Sequence, residues 1–317
     1  MDVIMYYPYF RGKQYELITI RENAELMCDS GFVPIIEPVK EPLSGLKKTL
    51  AAVVDAEGEA IVIVNPYHGD HSRNAHSIQS LLQDEFEGIE NISQGILLTD
   101  DVSVAEAVDL CDSYDANSIS LIHSGFTSAK ALVNELGDRT SAMRHVFLDD
   151  ACGKLYQRHF KSAQRILLRD GFERRTNREH PSVEFFSDLH ATYEEEGMQG
   201  FGDFLIVGDD YSETGGPAYA VAIHITFIDS SNDNEMHIHH FKSIRQDDPK
   251  DPAGKFAEAL DEMIKELDQP GTQIQETKAI KEFRILHERG HYPGLGYVKK
   301  LSMQHHIETL ADYFKQN

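Results

Sequence analysis

The sequence predicts an α/β protein built on a TIM-like (β/α)8 barrel. Apolar runs with the length and the Val, Ile and Leu content of buried strands occur at 3–7, 32–37, 60–65, 95–99, 118–123, 145–149 and 165–169. Helix-like amphipathic stretches follow them at 21–28, 44–55, 75–86, 102–113, 128–136, 152–160 and 182–196. Seven such units indicate a parallel sheet with right-handed crossovers, and this number favours a barrel over a doubly wound open sheet. No Gly-x-Gly-x-x-Gly follows the first run, which weakens the dinucleotide-binding form of the open sheet.

Helix boundary signals support this division of the chain. Asp101 precedes one helix-like stretch, and Thr127 or Ser128 precedes another, and all three are good N-cap residues. Gly31 and Gly137 stand where glycines end helices. The helical segments are therefore expected to alternate with the apolar runs throughout the first two thirds of the chain.

The pattern changes after about residue 200. Residues 204–208 have the character of one more strand, and 218–243 predicts a β-hairpin with a polar loop. Helices are expected at 256–267, 280–288 and 299–314. The eighth barrel strand is either 204–208 or part of the hairpin. We expect a single domain over 1–317, with the hairpin and the helices added in its C-terminal third.

Composition narrows the classes of partner. The 317 residues include 30 Lys and Arg against 53 Asp and Glu, a formal charge of −23, which repels nucleic acids and anionic lipid surfaces. Direct nucleic-acid binding is therefore not expected. Cys28, Cys111 and Cys152 form no CxxC pair, and the N-terminus has no signal-peptide pattern, so we expect a cytoplasmic protein. No apolar run of about 18 residues predicts a membrane span.

Polar side chains follow nearly every predicted strand, at the end where barrels carry their functional residues. In chain order these positions hold Arg11 and Lys13, Glu37 and Lys40, Asn65 with His68, Asp70 and His71, Asp100 and Asp101, His123 and Ser124, Asp149 and Asp150, Arg169 and Asp170, and Asp209 and Asp210. Ordinary loop polarity explains part of this set. The rest predicts one polar mouth, in which bound cations or basic side chains balance the carboxylates.

Two chemistries fit such a mouth. A divalent cation on Glu37, Asp100, Asp149 and Asp209 would activate water for phosphoester hydrolysis. Alternatively, a carboxylate and His123 would share acid–base work without a metal. The catalytic candidates are therefore Glu37, His123, Asp149 and Asp209. No HExxH, Walker loop or GxSxG occurs, so the sequence assigns neither a metal nor a cofactor.

The segment 165–179 is the densest positive region of the chain. It follows the seventh strand, where barrels frequently bind phosphate, and arginine suits the oxygens of such anions. The predicted ligand-binding residues are Arg11, Lys13, Glu37, Arg169, Arg174 and Arg175, with Gly215 and Gly216 allowing close backbone approach. The alternative is a solvated loop whose arginines pair with Asp170, Glu173 and Glu179.

Histidines concentrate on the second strand of the predicted hairpin. His237 and His239 share one face of that strand, and His224 on the partner strand is a candidate to join them in a zinc site. An exposed polar face is the simpler interpretation. His305 and His306 are consecutive on the last helix, so at most one of them is expected to face the barrel.

The opening YYPYFRGKQYELITIRE, followed by FVPIIEPVK, resembles the bacterial and phage "beta protein" family. The matching residues are Tyr7 or Tyr9, Pro8, Lys13, Glu16, Pro34 and Glu37, and GFGDF near 202–204 and QHHIETL near 305–306 are also similar to motifs of that family. The front MYYPYxRGKQxE marks a branch of it. The resemblance implies a barrel fold and genes that travel with mobile elements and candidate phage-defence cassettes. It draws attention to Lys13, Glu16, Glu37, Asp203 and His306.

Two hypotheses follow. In the first, the barrel binds a protein partner encoded nearby, or a small anionic ligand, as a component of such a cassette. In the second, it is a hydrolase, with or without a metal, that acts on a phosphate-containing small molecule or nucleotide. Strand-end carboxylates that converge on one point would favour the enzyme, and carboxylates neutralised by arginine and lysine would favour binding. Lys13 and Glu37 are expected to contact each other or one shared ligand.

Overall fold

A computed structural model of the chain describes residues 6–213, 216 and 219–316. The chain forms two compact units. The first runs to Arg169 and includes Thr192–Phe204, whereas the second comprises Asp170–Ala191 and the chain from Leu205 onward. No helix of the described chain is both long and apolar enough to cross a membrane.

The described chain contains eleven strands and eleven α-helices. The strands are β1 Tyr9–Phe10, β2 Ile35–Ile36, β3 Ala60–Ile63, β4 Ile92–Thr99, β5 Ile119–Ser124, β6 Arg144–Leu148, β7 Gln164–Leu168, β8 Val183–Ser187, β9 Gly200–Gly202, β10 Ala222–Asp229 and β11 Glu235–Lys242. The helices are α1 Gln14–Glu22, α2 Ala24–Asp29, α3 Ser44–Asp55, α4 His76–Phe86, α5 Val104–Asp112, α6 Ala129–Leu136, α7 Lys154–Gln157, α8 Leu189–Thr192, α9 Pro252–Leu267, α10 Lys278–Glu288 and α11 Leu295–Gln316. Short 3-10 turns lie at Ala116–Ser118, Gly137–Ser141, Asp149–Ala151 and Arg158–Phe160.

The first unit is a parallel barrel. Its strands are hydrogen-bonded in the order β1 to β7 and then β9, and every neighbouring pair is parallel. A parallel bridge between Tyr6 and Phe201 brings the last strand to the first, and the N–H of Tyr7 donates to the Phe201 carbonyl at 2.8 Å. The prediction of an α/β fold with a nearly closed, eight-stranded parallel barrel flanked by helices is therefore confirmed.

Alternate residues of the barrel strands fill the interior of the first unit. The buried cluster includes Tyr7, Tyr9, Val33, Ile35, Ile61, Ile63, Leu97, Ile122, Val146, Ile166, Leu168 and Phe204. Because side chains of a strand alternate between faces, the residues between these point outward to the helices. Gly202 is required at the closing seam, since a Cβ there would overlap the Tyr7 carbonyl oxygen. The same alternation determines which residues at the strand ends face the interior.

The predicted elements need four corrections. The eighth strand is neither 204–208 nor the hairpin but Gly200–Gly202, which has no apolar run to announce it. The stretch 182–196 is not one helix, because its first half pairs with β11 as β8. The helix expected at 21–28 begins earlier and is divided into α1 and α2. The run 3–7 lies mostly outside the described residues, and the first strand is Tyr9–Phe10.

The second unit contains an antiparallel sheet in the order β10–β11–β8. Strands β10 and β11 form the predicted hairpin within 218–243, whose first residue lies outside the described chain. One face of the sheet shares a hydrophobic core with α9, α10 and α11 through residues such as Ile223, Phe256, Phe283 and Leu301. The three helices expected at 256–267, 280–288 and 299–314 are present. A single domain over 1–317 stays a prediction.

Candidate functional site

Glu37 lies at the carboxyl end of β2 and is fully buried. It follows the interior residue Ile35 by two positions, so its side chain enters the barrel. Its Oε2 accepts hydrogen bonds from the Tyr9 hydroxyl at 3.0 Å and from Arg11 Nε at 2.9 Å. Its Oε1 accepts from the backbone N–H groups of Tyr67 and His68, both at 2.9 Å, and contacts His68 Nδ1 at 3.1 Å. The carboxylate is thus held by five hydrogen-bonding groups.

The loop after β3 supplies three of these five groups. Gly69 has φ +76°, and a Cβ at this position would overlap the Val39 carbonyl oxygen. The N–H of Asp70 donates to that same carbonyl at 3.0 Å, which fixes the loop against the segment after β2. Glycine is therefore needed here, since a larger residue would move the Tyr67 and His68 N–H groups away from Glu37.

Glu37 stays ionised at acidic pH. Burial alone would raise the pKa of the carboxyl, because it penalises the charged form. The hydrogen bond from His68 and the positive charge of Arg11 outweigh burial and lower the pKa to about 2. A carboxylate with so low a pKa and so many donors is a poor general acid or base near neutral pH.

Arg11 is buried, and its guanidinium contacts Glu37. Its guanidinium lies 5.6 Å from the centre of the Tyr9 ring and 5.7 Å from that of Phe204. Its backbone N–H donates to Glu16 at 2.5 Å. Lys13 is half-buried and immediately precedes α1. The contact between Lys13 and Glu37 stays a prediction.

A second ion pair follows β6 and β7. Arg169 Nε contacts Asp149 Oδ2 at 2.6 Å, and their side chains are 29% and 32% exposed. The N–H of Arg169 also donates to the Gly202 carbonyl at 3.0 Å, which fixes its backbone on β9. In the first unit, both carboxylates assigned to catalysis from the sequence are therefore paired with an arginine.

Asn65, at the end of β3, has a structural role. Its amide donates to the Leu97 carbonyl at 2.9 Å and accepts from the Leu97 N–H at 2.8 Å, which joins β3 to β4 beyond the last ladder bond. Asp100, which follows β4, is exposed in a turn.

His123 points away from the barrel interior, because its neighbour Ile122 belongs to the interior cluster. It is fully buried, and its ring stacks on Phe147 at 4.7 Å. Its Nδ1 contacts the Tyr156 hydroxyl at 2.6 Å and its Nε2 contacts His145 Nδ1 at 3.0 Å. Burial, followed by the charge of His145, lowers the pKa of His123 far below its usual range. This position in the outer layer does not support acid–base work at the barrel mouth.

The remaining predicted site residues lie in the second unit. The N–H of Asp209 donates to Asp170 at 2.7 Å, Arg174 pairs with Asp210 at 3.1 Å, and Arg175 pairs with Glu184. Gly215 lies outside the described residues, and no atom of the described residues lies within 4 Å of where a Cβ on Gly216 would be. Arg174 and Arg175 thus have carboxylate partners, and one of them, Glu173 at 3.9 Å from Arg175, is among those expected for a solvated loop.

The residues singled out by the family resemblance have structural contacts. Asp203 accepts a hydrogen bond from the Tyr6 hydroxyl at 2.6 Å on the outer face of the barrel. His306 Nδ1 contacts the Thr226 hydroxyl at 3.0 Å, and His305 Nε2 contacts the Thr226 carbonyl at 2.8 Å. Both histidines are buried in the second unit.

The histidines of the hairpin are arranged differently from the zinc site considered from the sequence. His224 pairs directly across the sheet with His240, so these two share a face, and His237 and His239 lie on the other. Among the described residues, the side chains close enough to hold a metal ion together are His180, Glu184 and His240. None of the strand-end carboxylates Glu37, Asp100, Asp149 and Asp209 belongs to that group. The sequence analysis did not identify His180 and Glu184 as candidates. The signal that could have pointed to them is their spacing of four residues.

Comparisons with known proteins show little similarity. No family model matches the sequence, and no curated protein matches it. One solved structure, the enoyl reductase domain of MlnA from the macrolactin biosynthesis cluster of Bacillus amyloliquefaciens, is similar with a TM-score of 0.35 and 9% identity. That match covers 98% of this chain and 81% of the other, and a likeness this weak supports no conclusion about fold or function.

Proposed function

We propose that the first unit is a TIM-like (β/α)8 barrel that binds a small anionic ligand, of phosphate-containing chemistry, at the carboxyl ends of its strands. The observation that carries the proposal is the state of Glu37. This carboxylate has five hydrogen-bonding groups and a pKa of about 2, so it organises its neighbours and does not transfer protons.

The groups that Glu37 and Asp149 hold in place are basic. Arg11 is fixed by its bond to Glu37 and by the Tyr9 and Phe204 rings, and Arg169 is fixed by Asp149. His68 is held against Glu37 by its ring and by its backbone. Guanidinium groups with a fixed plane recognise phosphate and carboxylate oxygens, because less side-chain freedom is lost on binding. This arrangement favours ligand recognition over hydrolysis.

The alternative is a hydrolase, with or without a metal, that acts on a phosphate-containing small molecule or nucleotide. It would need carboxylate lone pairs for a metal or a titratable group near neutral pH. Glu37 and Asp149 already use oxygens on arginine, and His123 lies in the outer layer. The alternative therefore has weaker support than binding.

Thermal unfolding in the presence of anions tests the proposal. Phosphate or AMP, added against sodium chloride of equal ionic strength, should stabilise the wild-type protein by about 1.4 kcal/mol at ten times Kd. Arg169→Ala should abolish this stabilisation. The matched control is Arg139→Ala, which removes another arginine paired with an aspartate in the same unit, at 2.7 Å from Asp112, and should retain it.

Three outcomes would overturn the proposal. One is the absence of any specific anion effect in the wild type, and another is an equal effect in all three proteins. The third is loss of the effect in the double variant Arg174→Ala, Arg175→Ala but not in Arg169→Ala, which would place the anion in the second unit. Phosphate release from a phosphomonoester that depends on Glu37 would instead support the hydrolase.

The resemblance to the "beta protein" family supports a place for this barrel in a phage-defence or mobile-element cassette, with a protein partner encoded nearby. Native mass spectrometry of the protein co-expressed with its genomic neighbours tests this part. A stoichiometric complex with a neighbouring gene product is expected, and a chain that stays alone with all of them would contradict it.

A further inference from the structure

A cluster of three histidines and one glutamate lies on one face of the sheet in the second unit. His224 on β10 and His240 on β11 are directly opposed in the antiparallel register. Glu184 lies on the neighbouring β8, and His180 precedes that strand. The N–H of His240 donates to the Ser182 carbonyl at 2.8 Å, which aligns β11 with the segment between His180 and Glu184. Three separate stretches of chain thus bring these side chains together.

The side chains converge on one carboxylate oxygen. Glu184 Oε1 is 3.2 Å from His180 Nδ1 and 3.0 Å from His240 Nε2. The His180 and His240 rings stack with centroids 4.2 Å apart. One potential ligand atom from each of His180, Glu184 and His240 lies within 4.8 Å of the others. A metal ion could join them after small side-chain movements, because tetrahedral ligands lie about 3.3 Å apart at Zn–N distances of about 2.0 Å.

The hydrogen bonds within the cluster leave one buried nitrogen unexplained. His180 is 2% exposed, and its Nε2 has no hydrogen-bond partner among the described residues. A buried polar atom without a partner costs about 1–3 kcal/mol. A metal ion bound through Nδ1, the nitrogen that faces Glu184, would fix the tautomer of this ring with its proton on Nε2.

The fourth histidine and the surroundings also suit a metal. His224 Nδ1 lies 2.7 Å from His240 Nδ1, the nitrogen of His240 that does not face Glu184, so His224 can orient the His240 ring. Arg175 pairs with Oε2 of Glu184 and leaves Oε1 to face the two imidazoles. The Phe172 ring packs against His180 and His224, with centroids 5.3 and 5.1 Å away. Metal sites commonly have such an arrangement, in which a second layer orients the ligands and limits solvent.

We propose that His180, Glu184 and His240, with His224 beside them, form a binding site for a divalent transition-metal ion of the Zn²⁺ class. Imidazole nitrogens with one carboxylate oxygen favour Zn²⁺, Co²⁺ or Ni²⁺, whereas Mg²⁺ and Ca²⁺ require mainly oxygen ligands. The site is distinct from the barrel mouth, because all four side chains belong to the second unit.

Zinc titration of the full-length protein, without a polyhistidine tag and after chelator treatment, tests this proposal. The wild type should bind one Zn²⁺ in competition with a chromogenic chelator. His180→Gln and Glu184→Gln should each weaken binding by more than about 100-fold, beyond the roughly 10- to 100-fold loss that is typical of a supporting residue. His239→Gln is the matched control, because His239 is adjacent to His240 on β11 but faces the other side of the sheet.

Substitution of cobalt keeps the test decisive if a variant fails to fold. Co²⁺ bound to the wild type should give the visible absorption of a tetrahedral nitrogen and oxygen site, and added Zn²⁺ should displace it. Absence of binding to the wild type would overturn the proposal. So would an affinity that is equal in the wild type and in folded His180→Gln, since the cluster would then be only a buried hydrogen-bond network.

Discussion

At the scale of single residues, the buried ion pair between Arg11 and Glu37 organises the mouth of the barrel. Glu37 is fully buried and would be costly to keep charged without partners, yet Arg11 and His68 lie against its two oxygens. Removing either the carboxylate or its partners leaves a buried charge without compensation. The pair therefore sets both the stability of this region and the orientation of its basic side chains.

The pH dependence of stability should reveal this pair. The folded pKa of Glu37 is about 2, below its ordinary value of 4.5, so its stabilising contribution is complete above pH 4.5 and is lost as pH falls toward 2. The contribution should fall by about 0.8 kcal/mol at pH 4 and by about 2 kcal/mol at pH 3. Urea unfolding of the wild type and of Glu37→Gln at each pH measures this contribution, because the other carboxyl groups are the same in both proteins.

At pH 7 the free energy of unfolding of the wild type should exceed that of Glu37→Gln by about 3–5 kcal/mol, since the substitution breaks a buried pair. The difference should then narrow steadily below pH 4.5. A difference that stays constant from pH 7 to pH 3 would show that Glu37 has an ordinary pKa in the folded protein.

The sequence predicted Glu37 as an interior strand-end residue and Lys13 as its partner, but it did not single out Arg11. Arg11 and Lys13 have the same parity, so strand alternation allows both to face Glu37. Gly12 has a φ of +60° and turns the chain after Arg11, so Arg11 contacts Glu37 while Lys13 lies just before α1. Side-chain partners that depend on such a turn are not visible in a pattern of residue types.

At the scale of secondary-structure elements, closure of the barrel depends on β9, the three-residue strand that comes last among the barrel strands along the chain. Strand β9 contains only Gly-Phe-Gly, and it lies against β7 on one side and against Tyr6 and Tyr7 on the other. Gly202 allows this approach, because any Cβ there would overlap the Tyr7 carbonyl oxygen. The seam therefore depends on the absence of a side chain.

Gly202→Ala should consequently destabilise the first unit by about 3 kcal/mol or more, because backbone must move to admit the methyl group. Gly153→Ala is the control, since nothing lies within 4 Å of a Cβ at that position and its φ of −67° suits alanine. Its effect should stay within about 0.5 kcal/mol. Equal unfolding midpoints in urea for the two variants would contradict this account of closure.

The same features explain which elements the sequence could predict. Strands β3 to β7 were predicted to within a few residues, because each is an apolar run buried on both faces. Strand β9 lacks such a run. Within the described residues, strand β8 pairs with β11, which is far from it along the chain. A short segment of mixed character does not distinguish that long-range pairing from a helix.

At the scale of the whole molecule, the two units have different architectures and separate hydrophobic clusters. The net charge of −23 opposes long-range attraction of anions, so an anionic ligand requires basic groups concentrated at one place. Arg11, His68 and Arg169 provide such groups in the first unit, each held by a carboxylate. The proposed recognition of an anion would therefore depend on carboxylates that stay ionised.

The protonation state of Glu37 tests this central claim most directly. In protein labelled with ¹³C at the glutamate side-chain carboxyls, the Glu37 signal can be assigned from its absence in Glu37→Gln and followed from pH 8 to pH 3. We expect its shift to stay that of a carboxylate above about pH 3, consistent with a pKa of about 2. A titration midpoint above pH 4.5 would contradict the account, because the mouth would then contain a carboxyl group suited to proton transfer.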